Sequence, residues 1–532
     1  MLYHSLMTEN KKTLKYIVKM VECPRNGEQG GQVRKLRKSF LVLVILLSFV
    51  FNPMLLAQSL FLSMGFTPSM PHHSLPVEIV EFEGSILLGA PTPWQISANI
   101  LSKHPCDVYL VWGPASYHYA YRSRFAQADA LEPATLIMNH LEPGQKYYYR
   151  LYFKEKTASK HYATQEYSFH TPKLPGQDFS FVMQSDSHLY NSADHEVYLQ
   201  SLKAMAQFQP DFIFDLGDTF IYDEFDKSHD PASDKIQERS LQQRPYFDIF
   251  SRNAALFLTL GNHDGEAGKY FDDSDQNLAI KATKARKKYY LNPQPNEFYS
   301  GNEQVEPFVG LPQNYYAYQW GDALFVVLDY YRYSPMEDIP PTSAWSWTLG
   351  KDQYDWFQKI LEESEARFKF VIAHHANGIG RGGQTYSRLF EWGGHGPNGK
   401  YLFDEMRPGW GKPIHEIMRD CGVNVFFQGH DHVFSMEVVD GIVYQTLPRP
   451  SEKSPQKQNV FILYPNAHLL LNSGFLKVDV NSDQVKISYY RSYFVSSDPQ
   501  EGNTGLVFVY AVDIDGRVSI LQDKKDDLSK YR

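Results

Sequence analysis

The sequence predicts an α/β or α+β fold in two parts, an antiparallel β-sandwich followed by a larger region of mixed strands and helices. Three observations carry this. Residues 76–173 show short period-2 runs separated by turn residues, and after Leu174-Pro175-Gly176 the pattern changes to apolar strands alternating with helical stretches. Five of the later strands end directly in metal-competent side chains. At 532 residues the chain also exceeds what one hydrophobic core usually serves, which makes more than one domain the default expectation.

In the first part, the runs at 95–101, 107–112, 134–138, 146–153 and 166–169 have the alternation of strands with one buried face. Their spacing gives a sandwich of about one hundred residues. The stretch 141–147, with Pro143-Gly144 and Tyr147, resembles the corner before a late strand in fibronectin type III domains, where the tyrosine caps a backbone turn. No catalytic inventory accompanies it. In the second part, taken as residues 177–500, the segments 201–207, 352–363 and 412–421 read as helices. The second of these gathers Trp356, Phe357, Ile360 and Leu361 on one face, a core stripe. The segments 474–480 and 484–490 complete the sheets. Residues 501–532 read as an appended hairpin turning at Asp515-Gly516 and a charged tail.

A hydrophobic share of 43% with 15% aromatics excludes a disordered chain. The formal charge is −9, yet residues 1–57 hold nine Lys/Arg against three Asp/Glu, a local +6 that leaves −15 on the remainder. Such a surface disfavours duplex nucleic acid and anionic membranes. Within the basic segment, Arg34, Lys35, Arg37 and Lys38 precede the apolar run 40–51, Asn52-Pro53 interrupts it, and Leu55-Leu56-Ala57 offers a small residue for cleavage. Residues 1–57 therefore read as a signal peptide or signal anchor, with 58–75 as a linker. This predicts an exported protein, periplasmic, extracellular or at the cell surface, and membrane-tethered where the apolar segment is retained. Beyond that segment stand Cys106 and Cys421, too few for a disulfide framework, which read as free thiols.

The five strand ends carry the chemistry. Residues 179–185 lead into Asp186-Ser-His188, 212–216 into Gly217-Asp218, and 256–260 into Gly261-Asn262-His263-Asp264. Likewise 368–373 lead into His374-His375, and 423–428 into Gly429-His430-Asp431-His432. Ligands bind beyond the carboxyl ends of parallel strands, so five such tips can converge. At Asp186/His188 and His430/His432 the i, i+2 spacing would place both side chains on one side of an extended backbone. Carboxylate and imidazole together select transition metals such as Fe, Zn or Mn over the all-oxygen cages of Ca or Mg, and Asp218 has two oxygens with which to reach two ions. A pair of ions about 3.5–4 Å apart can activate water and clamp the oxygens of an in-line phosphoryl displacement.

In this order, the motifs resemble those of the calcineurin-like metallophosphoesterases over about residues 178–490, and the sandwich in front makes the layout similar to purple acid phosphatases. The resemblance implies a four-layer α/β/β/α domain. It implies a first metal on Asp186, His188, Asp218 and His432, and a second on Asp218, Asn262, His374 and His430. It also implies hydrolysis of a small phosphorylated substrate by a metal-bound hydroxide, a phosphomonoesterase in the first instance. A phosphodiesterase of nucleotides or phospholipid head groups is the rival within that chemistry, and an envelope binding protein with a vestigial site the rival outside it. His263 would contact substrate or protonate the leaving oxygen, with Asp264 the partner that orients it, and His375 is left either to face substrate or to support the ligands from behind. One position departs from the pattern. Ile221 stands where purple acid phosphatases place an iron-binding tyrosine and Tyr222 comes one residue later, so no tyrosinate-to-iron absorption is expected.

Residues 376–411 hold ten of the 34 glycines together with Arg381, Arg388 and His395. Backbone can approach a ligand closely there and guanidinium groups pair with phosphate, which points to a substrate loop. The cluster Lys281, Lys284, Arg286, Lys287 and Lys288 reads as a solvated helix face.

Overall fold

The computed structural model describes residues 77–190, 192–224, 233–335, 344–378, 380–383, 386–452, 463–470, 473–492 and 504–524. The expected signal segment and linker and the last residues of the charged tail lie outside them. Phe179–Gln184, Phe212–Asp215 and Ala255–Leu258 pair in parallel in a ten-stranded sheet. In an eight-stranded sheet, Ala323–Val327, Phe368–Ile372, Val425–Gln428 and Ile442–Thr446 do the same.

Period-2 alternation decides which residues go where. Phe181, Phe212, Phe214 and Phe257 of the first sheet meet Trp320, Phe325 and Phe370 of the second in one core. Aromatic rings fill the seam, with Phe212 and Trp320 at 4.6 Å and Phe181 and Phe325 at 5.3 Å between centroids. The alternate residues Val182, Ile213 and Leu256 turn outward onto the helices His195–Gln207 and Ser233–Ser251. On the far side Val326, Val371 and Phe426 join Phe357 and Leu361 of Lys351–Glu363, and Met418 of Ile414–Asp420, in that same outer cluster. The layers are therefore helix, sheet, sheet, helix, and all three expected helices are present. Arg286 departs from the solvated face expected of its helix Leu278–Tyr289: it is buried, with Nε 2.5 Å from Glu266 Oε1.

The N-terminal strands form two layers with different fates. Lys146–Glu155 and Cys106–Gly113 centre a seven-stranded sheet, and the Tyr147 hydroxyl accepts from the Glu142 amide at 2.9 Å, the turn cap expected there. Gly84–Thr92, Gln95–Ser102 and Ala134–Met138 instead continue the ten-stranded sheet, through the parallel pairing of Leu256 with Gly89. At the other edge of that sheet, Thr504–Asp513 and Val518–Asp523 add the hairpin read from the sequence. Cys106 is buried, Cys421 partly so, and both are free thiols. Among the described residues no helix is long and apolar enough to cross a membrane.

Candidate metal centre

The carboxyl ends of both sheets deliver the predicted side chains, but not from extended backbone. Asp186, His188, Asp218, His430 and His432 have φ of 60°, 42°, 52°, 65° and 60°, in the left-handed region that side chains rarely adopt. The strands end at Gln184, Asp215 and Gln428, so the i, i+2 pairs sit in tight loops rather than on a pleat. Glycines make the loops' contact feasible. A Cβ on Gly261 would lie 2.3 Å from Asp218 N, and one on Gly429 would lie 1.9 Å from Ser185 Oγ.

Two groups result, Asp186 with His188 and His432, and Asp218 with His374 and His430, the ligand atoms of each within 4.8 Å of one another. Carboxylates join them. His432 Nε2 is 3.3 Å from Asp186 Oδ1, and His374 Nε2 is 3.3 Å from Asp218 Oδ2 and 3.8 Å from Asp186 Oδ1. His188 Nε2 is 3.6 Å from Asp218 Oδ2. The His374 Nδ1–H donates to Leu216 O at 2.8 Å, which fixes the tautomer and leaves Nε2 as the ligand atom. Asp186 Oδ1, His188 Nε2, Asn262 Oδ1, His374 Nε2 and His430 Nδ1 are buried with no hydrogen-bond partner among the described residues. Five unsatisfied lone-pair atoms of ligand type make a donor set that fits metal ions. Burial alone would raise Asp186 and Asp218, but His374 outweighs it, joined by His432 at Asp186 and by His263 at Asp218, and holds both well below the usual carboxylate range. The same carboxylates push His374 up to about 9 against its burial. The site demands positive charge, which metal ions supply at the same atoms.

The model of the calcineurin-like phosphoesterase family matches residues 179–434, the span from the first core strand to just beyond His432. Residues 179–434 form a calcineurin-like phosphoesterase domain. The chain is thereby a metal-dependent hydrolase of phosphate esters. Its fold is similar to the solved structure of PhoD, with a TM-score of 0.60 at 15% identity over 84% of this chain and 94% of that one. A purple acid phosphatase, PPD1 from yellow lupin (Lupinus luteus) seeds, superposes with a TM-score of 0.49 at 14% identity, over 80% and 73% of the two chains. Among curated proteins no sequence relative matches.

Around the phosphoesterase centre, the partner of His263 is not the one expected. His263 Nδ1 lies 3.0 Å from both oxygens of Asp223, in the turn Tyr222–Glu224. Asp264 points the other way. Its Oδ1 accepts from the amides of Thr219 and Phe220 and its Oδ2 from those of Asp218 and Gly261, at 2.8–3.0 Å. A carboxylate tied to four amides is a clasp on the Asp218 loop, with both of its oxygens engaged there. Burial and the Asp218 charge push Asp264 up to about 7, against amides that favour the anion. Asp264→Asn sets an amide NH₂ against two backbone donors and should destabilise the fold by about 3 kcal/mol, read in urea unfolding; an unchanged midpoint would show the clasp to be idle.

The remaining predicted residues separate. His374 rather than His375 meets the carboxylates; His375 is buried beside His430, ring centroids 4.9 Å apart, and burial with His374 pushes it down to about 3. It is a neutral ring packed behind the candidate ligand His430, which matches the supporting role of the two and not the substrate contact. Arg381 is at the rim, Nη1 donating to His430 O at 3.3 Å and lying 3.9 Å from Asp431 Oδ1, while the Gly382 amide donates to Asp431 Oδ2 at 2.6 Å. Arg388 and His395 are not brought to the cluster. His395 Nδ1 contacts the carbonyls of Arg388 and Gly393, and its ring packs edge-on against Tyr401. Arg388, after His415, helps hold Asp440 below the usual range, in the turn between Phe434–Val439 and Ile442–Thr446 and thus at the far end of the strand that starts beside His432. The Tyr222 hydroxyl is committed to Ser240 Oγ at 2.5 Å.

Sequence reasoning missed Asp223, Arg449 and Tyr331. An acidic residue five positions after Asp218 was the available signal for the first; no motif marks the others. Arg449 is buried, with Nε on Ser451 Oγ at 3.1 Å, Nη1 on Glu452 Oε2 at 3.3 Å, and Nη2 without a partner among the described residues. Ser451 Oγ in turn donates to Ser187 O at 2.7 Å, between two of the candidate ligands. Burial lowers the guanidinium's pKa, and Glu452, Asp186 and Asp218 oppose it.

Proposed function

We propose that the chain is a phosphomonoesterase whose centre holds two transition-metal ions of the Fe, Zn or Mn class. One would rest on Asp186, His188 and His432 and the other on Asp218, Asn262, His374 and His430, with Asp218 reaching toward both. The carrying observation is the pair of three-residue groups joined by carboxylate oxygens 3.3–3.8 Å from the imidazoles. Bound there, such ions lower the pKa of water and neutralise phosphoryl charge. The protein's own groups do the rest. Asp223 fixes the imidazole of His263 through Nδ1, so that Nε2 is the edge that passes a proton to the leaving oxygen. Arg381 at the rim and Arg449 on the Asp186 side add two guanidinium groups, which suits the dianion of a monoester better than the single charge of a diester.

The test is p-nitrophenyl phosphate beside its bis ester, with metals quantified. A monoesterase should favour the first by about 10-fold or more in kcat/KM; the opposite order would make the enzyme a diesterase. Removing metal should also loosen the fold, because it leaves Asp186, Asp218 and their histidines buried with only one another as counter-charge. Chelation is expected to lower the melting temperature by roughly 5 °C or more, with recovery on adding Zn or Mn.

The basic and apolar segment at residues 34–51 supports export. Mass analysis of the mature protein in the exported fraction tests this: a chain starting near residue 58 fits cleavage, and an intact one in the cytoplasm would refute export.

A further inference from the structure

Tyr331 stands four residues beyond the strand Ala323–Val327, at the end of the sheet that also delivers His374 and His430. Its backbone is pinned: the amide donates to Asp329 Oδ1 at 2.8 Å, and the carbonyl accepts from Gly268 and Ser334 at 3.0 Å. The ring is fixed by edge contacts with His374, at 6.0 Å between centroids, and with Trp347, at 5.8 Å. Its hydroxyl is buried and has no hydrogen-bond partner among the described residues. Burial, and then the charges of Asp218 and Asp186, act on that hydroxyl most strongly. A rigid ring packed on His374 therefore holds a buried O–H that bonds to no described acceptor.

Leaving a buried hydroxyl unsatisfied costs stability, and such groups persist where a ligand completes them. The adjacent Trp347 Nε1–H is also buried and unpartnered. An indole N–H can only donate, and no described residue supplies the acceptor missing from this pair. Phosphoryl oxygens are acceptors only. We propose that Tyr331 donates a hydrogen bond to a phosphoryl oxygen bound on the Asp218–His374–His430 side of the centre, with Trp347 lining the same subsite. The inference rests on the phosphoester reading above.

The experiment uses the full, metal-loaded chain. Inorganic phosphate is titrated by calorimetry, p-nitrophenyl phosphate turnover is measured, and metal content is determined for wild type, Tyr331→Phe and, as a control, Tyr222→Phe, whose hydroxyl already has Ser240. Tyr331→Phe should weaken phosphate binding about 10-fold and lower kcat/KM by about 10- to 100-fold with metal content unchanged. Tyr222→Phe should change neither. Phosphate affinity within twofold of wild type with metals intact would overturn the proposal, since a donor serving only a solvent oxygen gives that result. Loss of metal in Tyr331→Phe would overturn it too, by making the tyrosine a support of the metal ligands. Should wild type hydrolyse no phosphoester yet bind phosphate more tightly than Tyr331→Phe, the reaction assignment fails and this one stands.

Discussion

Asp218→Asn should remove turnover, with kcat/KM falling on the order of 10³-fold or more, while the protein stays folded. Asp218 does three things at once. Its Oδ1 accepts from the His263 amide at 2.9 Å, and its Oδ2 lies 3.6 Å and 3.3 Å from the Nε2 atoms of His188 and His374. Asparagine matches the volume and keeps one oxygen, but it turns an NH₂ toward either the amide or the imidazoles and removes the negative charge that both groups share. A loss of 10³-fold corresponds to about 4 kcal/mol of barrier. The flanking strand Phe212–Asp215 keeps its core contacts, so unfolding should remain cooperative. Steady-state kinetics with metal content and a melting curve decide the matter. A variant that holds its metals and turns over at the wild-type rate would rule out the shared carboxylate.

The second large effect belongs to His263. Replacing it with alanine should lower kcat by about 10²- to 10⁴-fold on an alkyl phosphate, whose alkoxide leaves poorly without a proton. On p-nitrophenyl phosphate the loss should be smaller, because that leaving group needs less help. Asp223→Asn should give an intermediate loss of about 10-fold, since it keeps the imidazole but removes the carboxylate 3.0 Å from Nδ1. Leaving-group dependence separates proton transfer from simple binding: equal losses on both substrates would assign His263 to binding alone.

Most of the architecture was legible because alternation is a local property. Phe181, Phe212 and Phe214 face the opposing sheet and Val182 and Ile213 face helices, as period 2 requires. The merging of Gly84–Thr92, Gln95–Ser102 and Ala134–Met138 with the catalytic sheet was not legible. It depends on the pairing of Leu256 with Gly89, and such a long-range register leaves no pattern in either segment. The ligand-type residues were readable since each follows a strand whose end is marked by composition. Their left-handed backbone was not, because a loop that begins one or two residues after a strand looks identical to the strand in a two-residue spacing. Assigning Asp264 to His263 failed for the same reason in reverse. Adjacent residues diverge in a tight turn, and Asp223, 40 positions away, makes the contact instead. Arg388 and His395 were drawn in by glycine density, which reports an irregular backbone and not where its side chains go.

Two metal ions should occupy the groups joined by Asp218 and Asp186. Metal quantitation on protein supplemented with Fe, Zn or Mn, run beside turnover of p-nitrophenyl phosphate, tests it most directly. About two ions per chain are expected, with activity that is lost on chelation and recovered on reloading. Well under one ion per chain, with no turnover, would contradict it.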